Sequence, residues 1–401
     1  MKTIFQINVN ANLGSTGRIA EEIGRLAIAN DWKSYIAFGR DGRPSRSKLI
    51  KISNKFTIGI HGLLTRFFDR HGFGSKCDTL KLIKQIKEIN PDIIHLHVIH
   101  GYYINIKILF DYLAVANIPI VWTFHDCWAF TGHCTNLGCN RWVNGCYSCP
   151  QKKEYPSSFW LDNSKNNYRI KRTKFNSVRF TTIVTVSKWT YNQVKESFLK
   201  EHVLKTIYNG VDLDLFSPKT NCKEVRNKLG IIANFMIVGV SSGWGSRRFE
   251  DFIKLSKLID NDIIIVLVGI SEKQRKCLPL NIIGIARTED ASQLAEIYSA
   301  ADFFLNLTYE DNFPTTNIES LACGTPILTY NTGGSIEAVS SPTGFIVEQG
   351  DILGVMDAIR NVKANGKSSY TKACRERAEK LYNQADRYNE YINLYESLIR
   401  K

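Results

Sequence analysis

The chain has 401 residues, 44% of them hydrophobic and 22% charged, and 52 Lys and Arg against 38 Asp and Glu give a net charge of +14. Such a composition excludes a disordered chain, and the length suggests two domains. The longest aliphatic run, Ile263 to Val268, is far short of the roughly 20 residues that a membrane-spanning helix needs. The first residues enter a strand pattern at once, so no secretory leader is expected and the reading is a cytoplasmic protein. Residues 1–205 hold 30 Lys and Arg against 14 Asp and Glu; residues 206–401 hold 22 against 24. That division suits one domain with an anionic partner surface and no nucleic-acid partner.

Strands and helices alternate along the whole chain. Thr3–Val9 reads as a strand, then a glycine turn and a helix from about Thr16 to Ala29, then strands at Tyr35–Phe38, Asp92–Leu96, Ile118–Phe124 and Thr181–Val186. Helices are expected at Asp78–Ile89, Tyr102–Ala116 and Ser187–Phe198. The second half repeats the rhythm with strands at Phe235–Val240, Ile263–Val268, Asn281–Ile285, Asp302–Asn306, Pro326–Thr329 and Phe345–Val347. Continuous Ile/Val/Leu runs mark strands buried on both faces, and β–α alternation implies parallel sheets covered by helices. The expected fold is α/β: two doubly wound Rossmann-like domains facing a central cleft. One spans residues 1–205 and the other 206–385, with a terminal helix at 386–400 that packs back on the first.

The stretch from Asp302 to Pro326 carries the most chemistry. A buried strand delivers an acidic loop containing Asp311, and a helix follows with Glu319 inside it, seven residues separating the two acids. A helix start suits a diphosphate, and a fixed carboxylate can accept two hydrogen bonds from a vicinal diol. Taken alone, the pair also fits an ordinary acidic loop before a helix.

In context the stretch resembles the acid-x7-Glu signature of glycosyltransferase family 4, whose members have the two-domain GT-B fold. Tyr208-Asn209-Gly210-Val211-Asp212 through Phe216-Ser217-Pro218, Ile297-Tyr298 through Ala301-Asp302, Thr332-Gly333-Gly334 with Glu337, and Thr343-Gly344 agree with the family in order and spacing. The resemblance implies a retaining glycosyltransferase using a nucleotide-diphosphate sugar as donor. It places Glu319 on the ribose, Asp311 on the donor sugar, Phe313, Thr315 and Thr316 near sugar and phosphates, and Arg287 near the nucleobase. The family's diphosphate clamp, an Arg with a Lys-Gly pair, is altered: Arg247 stands for the Lys, Arg248 for the Gly, and the register is open by one residue. Arginine can grip a phosphate bidentately.

In the first half, Gly14 and Gly17 occupy the family's first glycine loop, where the backbone can approach a phosphate or sugar. His125 ends the strand Ile120–Phe124, where the family often contacts the donor sugar. His95, His97 and His100 fit ordinary strand packing and are left outside the expected site. Asp212-Leu213-Asp214 imitates a metal-binding triplet but lies in a turn that can use Asp for its own backbone. No catalytic metal is expected.

Five cysteines fall in one loop, and Cys134, Cys139, Cys146 and Cys149 form a C-x4-C-x6-C-x2-C run. The order of preference is a structural zinc held by four thiolates, then reduced free thiols, then disulfides, with an iron–sulfur cluster last. Two basic stretches, Phe56–Lys76 and Lys165–Arg179, carry interleaved apolar residues. Either could rest on an anionic membrane surface, or pack inward with a solvated basic edge. The combined expectation is a hexosyltransferase, peripheral on the inner face of the cytoplasmic membrane, acting on a lipid-linked or other glycan acceptor in capsule or lipopolysaccharide synthesis. The alternatives are an epimerase or hydrolase on the same fold, and a non-enzymatic basic binding protein.

Overall fold

The computed structural model describes residues 1–231, 234–241 and 243–400. They form two compact units, Met1–Tyr208 with Arg387–Lys401, and Asn209–Asp386. The first unit holds seven parallel strands: β1 (Thr3–Asn8), β2 (Lys33–Phe38), β3 (Lys48–Lys51), β4 (Ile93–Leu96), β5 (Ile120–Phe124), β6 (Thr181–Thr185) and β7 (Val203–Thr206). Their order is β3-β2-β1-β4-β5-β6-β7. In register, Phe5 lies beside Tyr35 on one side and Ile94 on the other.

Alternation along β1 divides its side chains between two cores. Phe5 and Ile7 join Leu96, Trp122, Phe124 and Phe175 on one face. Ile4 joins Ile93, Val121 and Val184 on the other. That second face is covered in part by the closing helix, Gln384–Ile399, which contributes Tyr388, Tyr391, Ile392, Leu394 and Tyr395. Each fully buried large side chain contributes about 1.5–3 kcal/mol, so this return of the chain matters to the stability of the first unit.

The second unit has six parallel strands: β8 (Phe235–Val240), β9 (Ile263–Val268), β10 (Ile282–Ile285), β11 (Phe303–Asn306), β12 (Ile327–Tyr330) and β13 (Gly344–Val347), in the order β10-β9-β8-β11-β12-β13. In both sheets the winding direction reverses beside the first strand, between β1 and β4 and between β8 and β11. Ligands in such folds bind beyond the carboxyl ends of the strands at that reversal.

Three differences from the sequence reading have physical causes. Strands β3 and β7 were not expected, because both are four-residue edge strands that carry exposed lysines and bury none of their side chains fully. The helix expected over 102–116 is shorter, Ile106–Leu113. Gly101 and Tyr102 take positive φ, and Asn105 caps the start by accepting from Ile108 N at 3.1 Å. The boundary expected after residue 205 would cut β7, and the units part instead after Tyr208. Counted by unit, Lys and Arg number 33 against 16 acids in the first and 19 against 22 in the second.

Candidate functional site

The second unit gathers its chemistry on the loops after β8 and β11. The loop after β11 runs from Leu307 to the helix Thr315–Ala322. Tyr309 anchors it. Its hydroxyl donates to Asp251 Oδ2 at 2.6 Å, and its carbonyl accepts from Thr332 Oγ1 at 2.7 Å and Gln349 Nε2 at 3.0 Å. Asp251 is buried and also accepts from Tyr330 OH at 2.9 Å. Burial, with Asp251 second, pushes the Tyr309 phenol up to about 12.

The Thr332–Gly334 turn closes on the same loop. Gly334 N donates to Asp311 O at 3.1 Å, and Gly333 sits at φ +50 with its missing Cβ only 2.0 Å from that oxygen. No side chain but glycine's fits there. The acidic loop is therefore fixed before any ligand arrives.

Asp311 is half-buried and accepts from Phe313 N at 3.2 Å. Desolvation raises its carboxyl to about 6, opposed by the neighbouring Arg248 guanidinium and the backbone N–H groups of Phe313 and Asn312. Arg248 Nη1 donates to Ser241 Oγ at 3.1 Å, and its Nη2 donates to Thr308 Oγ1. Arg247 is exposed, with its guanidinium 5.3 Å from the Tyr309 ring centroid. Both arginines thus reach the acidic loop: Arg248, the one less favoured from sequence, by a hydrogen bond to Thr308, and Arg247 by its position over the Tyr309 ring.

Glu319 lies on the buried face of the helix and accepts from Tyr298 OH at 3.3 Å. Pro314 supplies no side-chain cap, so the helix start at Thr315 and Thr316 carries no side-chain acceptor of its own. Asn317, in the first turn, accepts from Asn306 Nδ2 through Oδ1 at 2.8 Å and donates through Nδ2 to Ser335 O and Oγ at 3.1 Å, locking the helix to β11 and the glycine turn. Asn209 Nδ2 donates to Phe313 O at 3.3 Å, which gives the Asn-Gly-Val-Asp turn a direct role in holding this loop. Trp244 donates Nε1 to Val268 O at 3.1 Å and packs on Phe252. Arg287 stands exposed just past β10.

In the first unit, Gly14 has φ +71 and opens the helix Gly14–Ala29, whose start has no side-chain cap and no acid in its first turn. A Cβ on Gly17 would come 3.3 Å from Asn10 O and Asn12 N, so glycine lets this helix press on the loop after β1. His125 ends β5 and bonds His97 Nδ1 through Nε2 at 3.2 Å; burial lowers it to about 4, with Asp126 opposing, so it is neutral near pH 7.

The histidines left aside on sequence grounds join this network. His97 Nε2 reaches Gln6 Oε1 at 3.0 Å, and His95 bonds Thr123 Oγ1 at 2.8 Å and Tyr395 OH at 2.6 Å. His100 pairs with Asp126 at 2.7 Å. The signal was the alternation itself, which puts His95 and His97 on one face of β4 and its extension. Their Tyr and Asp partners come from distant segments and could not be read.

Asp212 Oδ1 accepts from Asp214 N and Leu215 N, both at 3.0 Å, so that triplet satisfies its own turn. All ten cysteines, the five of the cysteine loop among them, are free thiols. Cys146 Sγ accepts from Gly132 N at 3.0 Å, and burial pushes its thiol up to about 11. Thiol chemistry suits zinc, but among the described residues no three of His, Cys, Asp or Glu are grouped to hold a metal ion. The zinc site expected at Cys134, Cys139, Cys146 and Cys149 therefore finds no support in this arrangement. The loop is held instead by Lys171, buried beneath it, whose Nζ donates to Trp128 O at 2.7 Å and Thr131 O at 3.1 Å. The stretch Lys165–Arg179 is corrected as a membrane candidate: Tyr168 and Phe175 of its helix face the core.

Two family models match the chain, Glycosyltransferase Family 4 over residues 17–215 and Glycosyl transferases group 1 over residues 235–381. A putative colanic acid biosynthesis glycosyl transferase, WcaC of Escherichia coli, is 22% identical over 98% of this chain and 100% of its own length. An Escherichia coli galactosyltransferase named for UDP-Gal and alpha-D-GlcNAc-diphosphoundecaprenol is 24% identical over 51% of this chain and 57% of its own. Among solved structures, sucrose-phosphate synthase from Thermosynechococcus elongatus superposes with a TM-score of 0.73 at 17% identity, covering all of both chains. Anabaena HepE in complex with UDP gives 0.69 at 16% identity, over 99% of this chain and 100% of its own. These likenesses establish the two-domain GT-B fold, and with both family models matched, the chain belongs to glycosyltransferase family 4 and is a glycosyltransferase.

Proposed function

We propose that this enzyme transfers a sugar, with retention of configuration, from a nucleotide-diphosphate donor to a lipid-linked glycan acceptor in surface polysaccharide synthesis. The observation that carries the donor reading is the loop and helix after β11. There Arg248 donates to Thr308 and electrostatically opposes the desolvation of Asp311, Glu319 accepts from Tyr298, and the helix start lacks a side-chain cap. The relatives named for colanic acid synthesis and for a diphosphoundecaprenol acceptor support the acceptor class, and the UDP complex of HepE supports the donor class.

Glu319 is assigned to the ribose diol. Arg247, Arg248 and the N–H groups at Thr315 and Thr316 take the diphosphate, where negative charge grows as it departs. Asp311 and Phe313 border the sugar, and Arg287 the base. From the first unit, His125 is assigned to the sugar and the Gly14–Gly17 loop to the phosphates. The bond from sugar C1 to the diphosphate oxygen breaks, the acceptor oxygen bonds C1 on the same face, and the acceptor's proton passes to the departing phosphate.

The first unit is assigned to the acceptor and its membrane, at the cytoplasmic face. A thermal-shift screen against UDP-, GDP- and dTDP-sugars tests the donor reading: one nucleotide class should stabilise the protein, and no response to any would refute it. Product formed from the donor without acceptor would point to an epimerase or hydrolase.

A further inference from the structure

The helix Lys55–Phe68 is amphipathic in the wrong direction for a soluble surface. Its buried side carries His61 and Thr65. His61 is saturated there, accepting from Gly72 N and Gly74 N at 3.1 Å through Nε2 and bonding Ser75 Oγ at 2.9 Å. Thr65 Oγ1 donates back to His61 O at 3.0 Å. The apolar residues, Phe56, Ile60, Leu63, Leu64 and Phe67, recur at helical spacing on the outward side, with Phe56 75% and Leu63 57% exposed.

A second segment extends this face. Phe159 N donates to Arg66 O at 2.8 Å and Leu161 N to Phe67 O at 3.2 Å, laying residues 159–161 along the end of the helix. Phe159 is 63% and Trp160 74% exposed. The combined apolar area is on the order of several hundred Å², the scale at which an exposed patch marks an interaction surface.

We infer that this two-part face is the membrane-docking surface of the enzyme, and that its partner is the headgroup and upper acyl region of an anionic bilayer. The charge around it selects that occupant. Arg66 lies 5.3 Å over the Phe159 ring, Lys152 Nζ donates to Trp160 O at 3.2 Å, and Lys55 is exposed where the helix begins. The nearby acids are engaged within their own loop: Asp162 by Ser164 and Cys149 N, Glu154 by Gln151. The unit as a whole carries 33 Lys and Arg against 16 acids. Long basic side chains reach headgroup phosphates while Trp and Phe enter the interface, which is how an interfacial helix holds an anionic membrane. Among the described residues no helix is long and apolar enough to cross one, so attachment here is by surface docking. The inference gives the proposed lipid-linked acceptor a place of delivery, and rests on that reading only for its purpose.

The test is flotation of the full chain with phosphatidylcholine vesicles, with and without phosphatidylglycerol, at low and high salt. The unaltered chain should bind the anionic vesicles roughly tenfold better. The pair Leu63→Ser with Phe67→Ser, and separately Trp160→Ser, should each lower that binding roughly tenfold, with unchanged melting temperature since these side chains face solvent. Lys55→Glu with Arg66→Glu should abolish the preference for anionic lipid. Failure of the unaltered chain to bind either vesicle, or full binding by the apolar variants, overturns the inference. So does a lipid-free dimer that the Leu63 and Phe67 changes dissociate, which would make the face a subunit contact. No donor or acceptor is present in this assay, so its failure leaves the transferase reading intact.

Discussion

Replacing Glu319 by Ala tests the donor assignment most directly. Glu319 is 92% buried on a helix fixed by Asn317, and the Tyr298 hydroxyl steadies one carboxylate oxygen at 3.3 Å. A ribose diol would donate two hydrogen bonds to that carboxylate. Bonds to a charged acceptor contribute about 1.5 kcal/mol or more each, so losing both costs about 3 kcal/mol, or roughly 150-fold in Kd. The assay is calorimetric titration with UDP and GDP and with their 2′,3′-dideoxy analogues. The unaltered enzyme should prefer the ribonucleotide by about that factor, and Glu319→Ala should bind both forms equally weakly. Tyr298→Phe, which removes only the tether, should lose severalfold. The decisive comparison is internal to each protein, so modest destabilisation of the variant does not blur it. If Glu319→Ala still prefers the ribonucleotide as strongly as the unaltered enzyme, the carboxylate does not hold the diol and the assignment is wrong.

Other expectations follow from the same geometry. The Asp311 carboxyl is raised from 3.8 to about 6, so the folded state favours its protonated form. That stabilisation is fully present below about pH 4 and is lost as pH rises through 6, a change of about 3 kcal/mol. Asp311→Asn should flatten the melting temperature between pH 4 and 7, and an unaltered slope would refute the shift. Gly333→Ala puts a Cβ 2.0 Å from Asp311 O at φ +50. The displaced loop should lower kcat/KM roughly a hundredfold in a transfer assay while the far-ultraviolet circular dichroism is unchanged. Tyr395→Phe leaves His95 Nδ1 buried without its 2.6 Å partner, and should destabilise the first unit by about 1–3 kcal/mol in urea unfolding.

Central strands were legible because burial on both faces demands unbroken aliphatic runs, as in Ile263–Val268. Edge strands β3 and β7 were not, since they bury little and carry lysines. The acid pair at Asp311 and Glu319 could be found because loop and helix are contiguous in sequence. Its supports come from other segments: the Thr332–Gly334 turn was legible as a motif, but Asp251 and Tyr330 left no local trace. His97 shows the same limit: alternation put it on a face, but only the sheet brings it to His125 and Gln6.

By itself the sequence determined the class of fold, the acid–helix motif and the uneven distribution of charge. These follow from local periodicity, spacing and composition, which need no knowledge of which segments meet. Tertiary structure decided which arginine is hydrogen-bonded to the acidic loop. It also decided which basic stretch turns its apolar side outward. Phe56–Phe68 and Ser164–Phe175 look alike as patterns, yet one buries His61 and Thr65 and exposes its phenylalanines, while the other buries Tyr168 and Phe175. Periodicity fixes that a helix has two faces; only the packing of the rest of the chain settles which of them meets water.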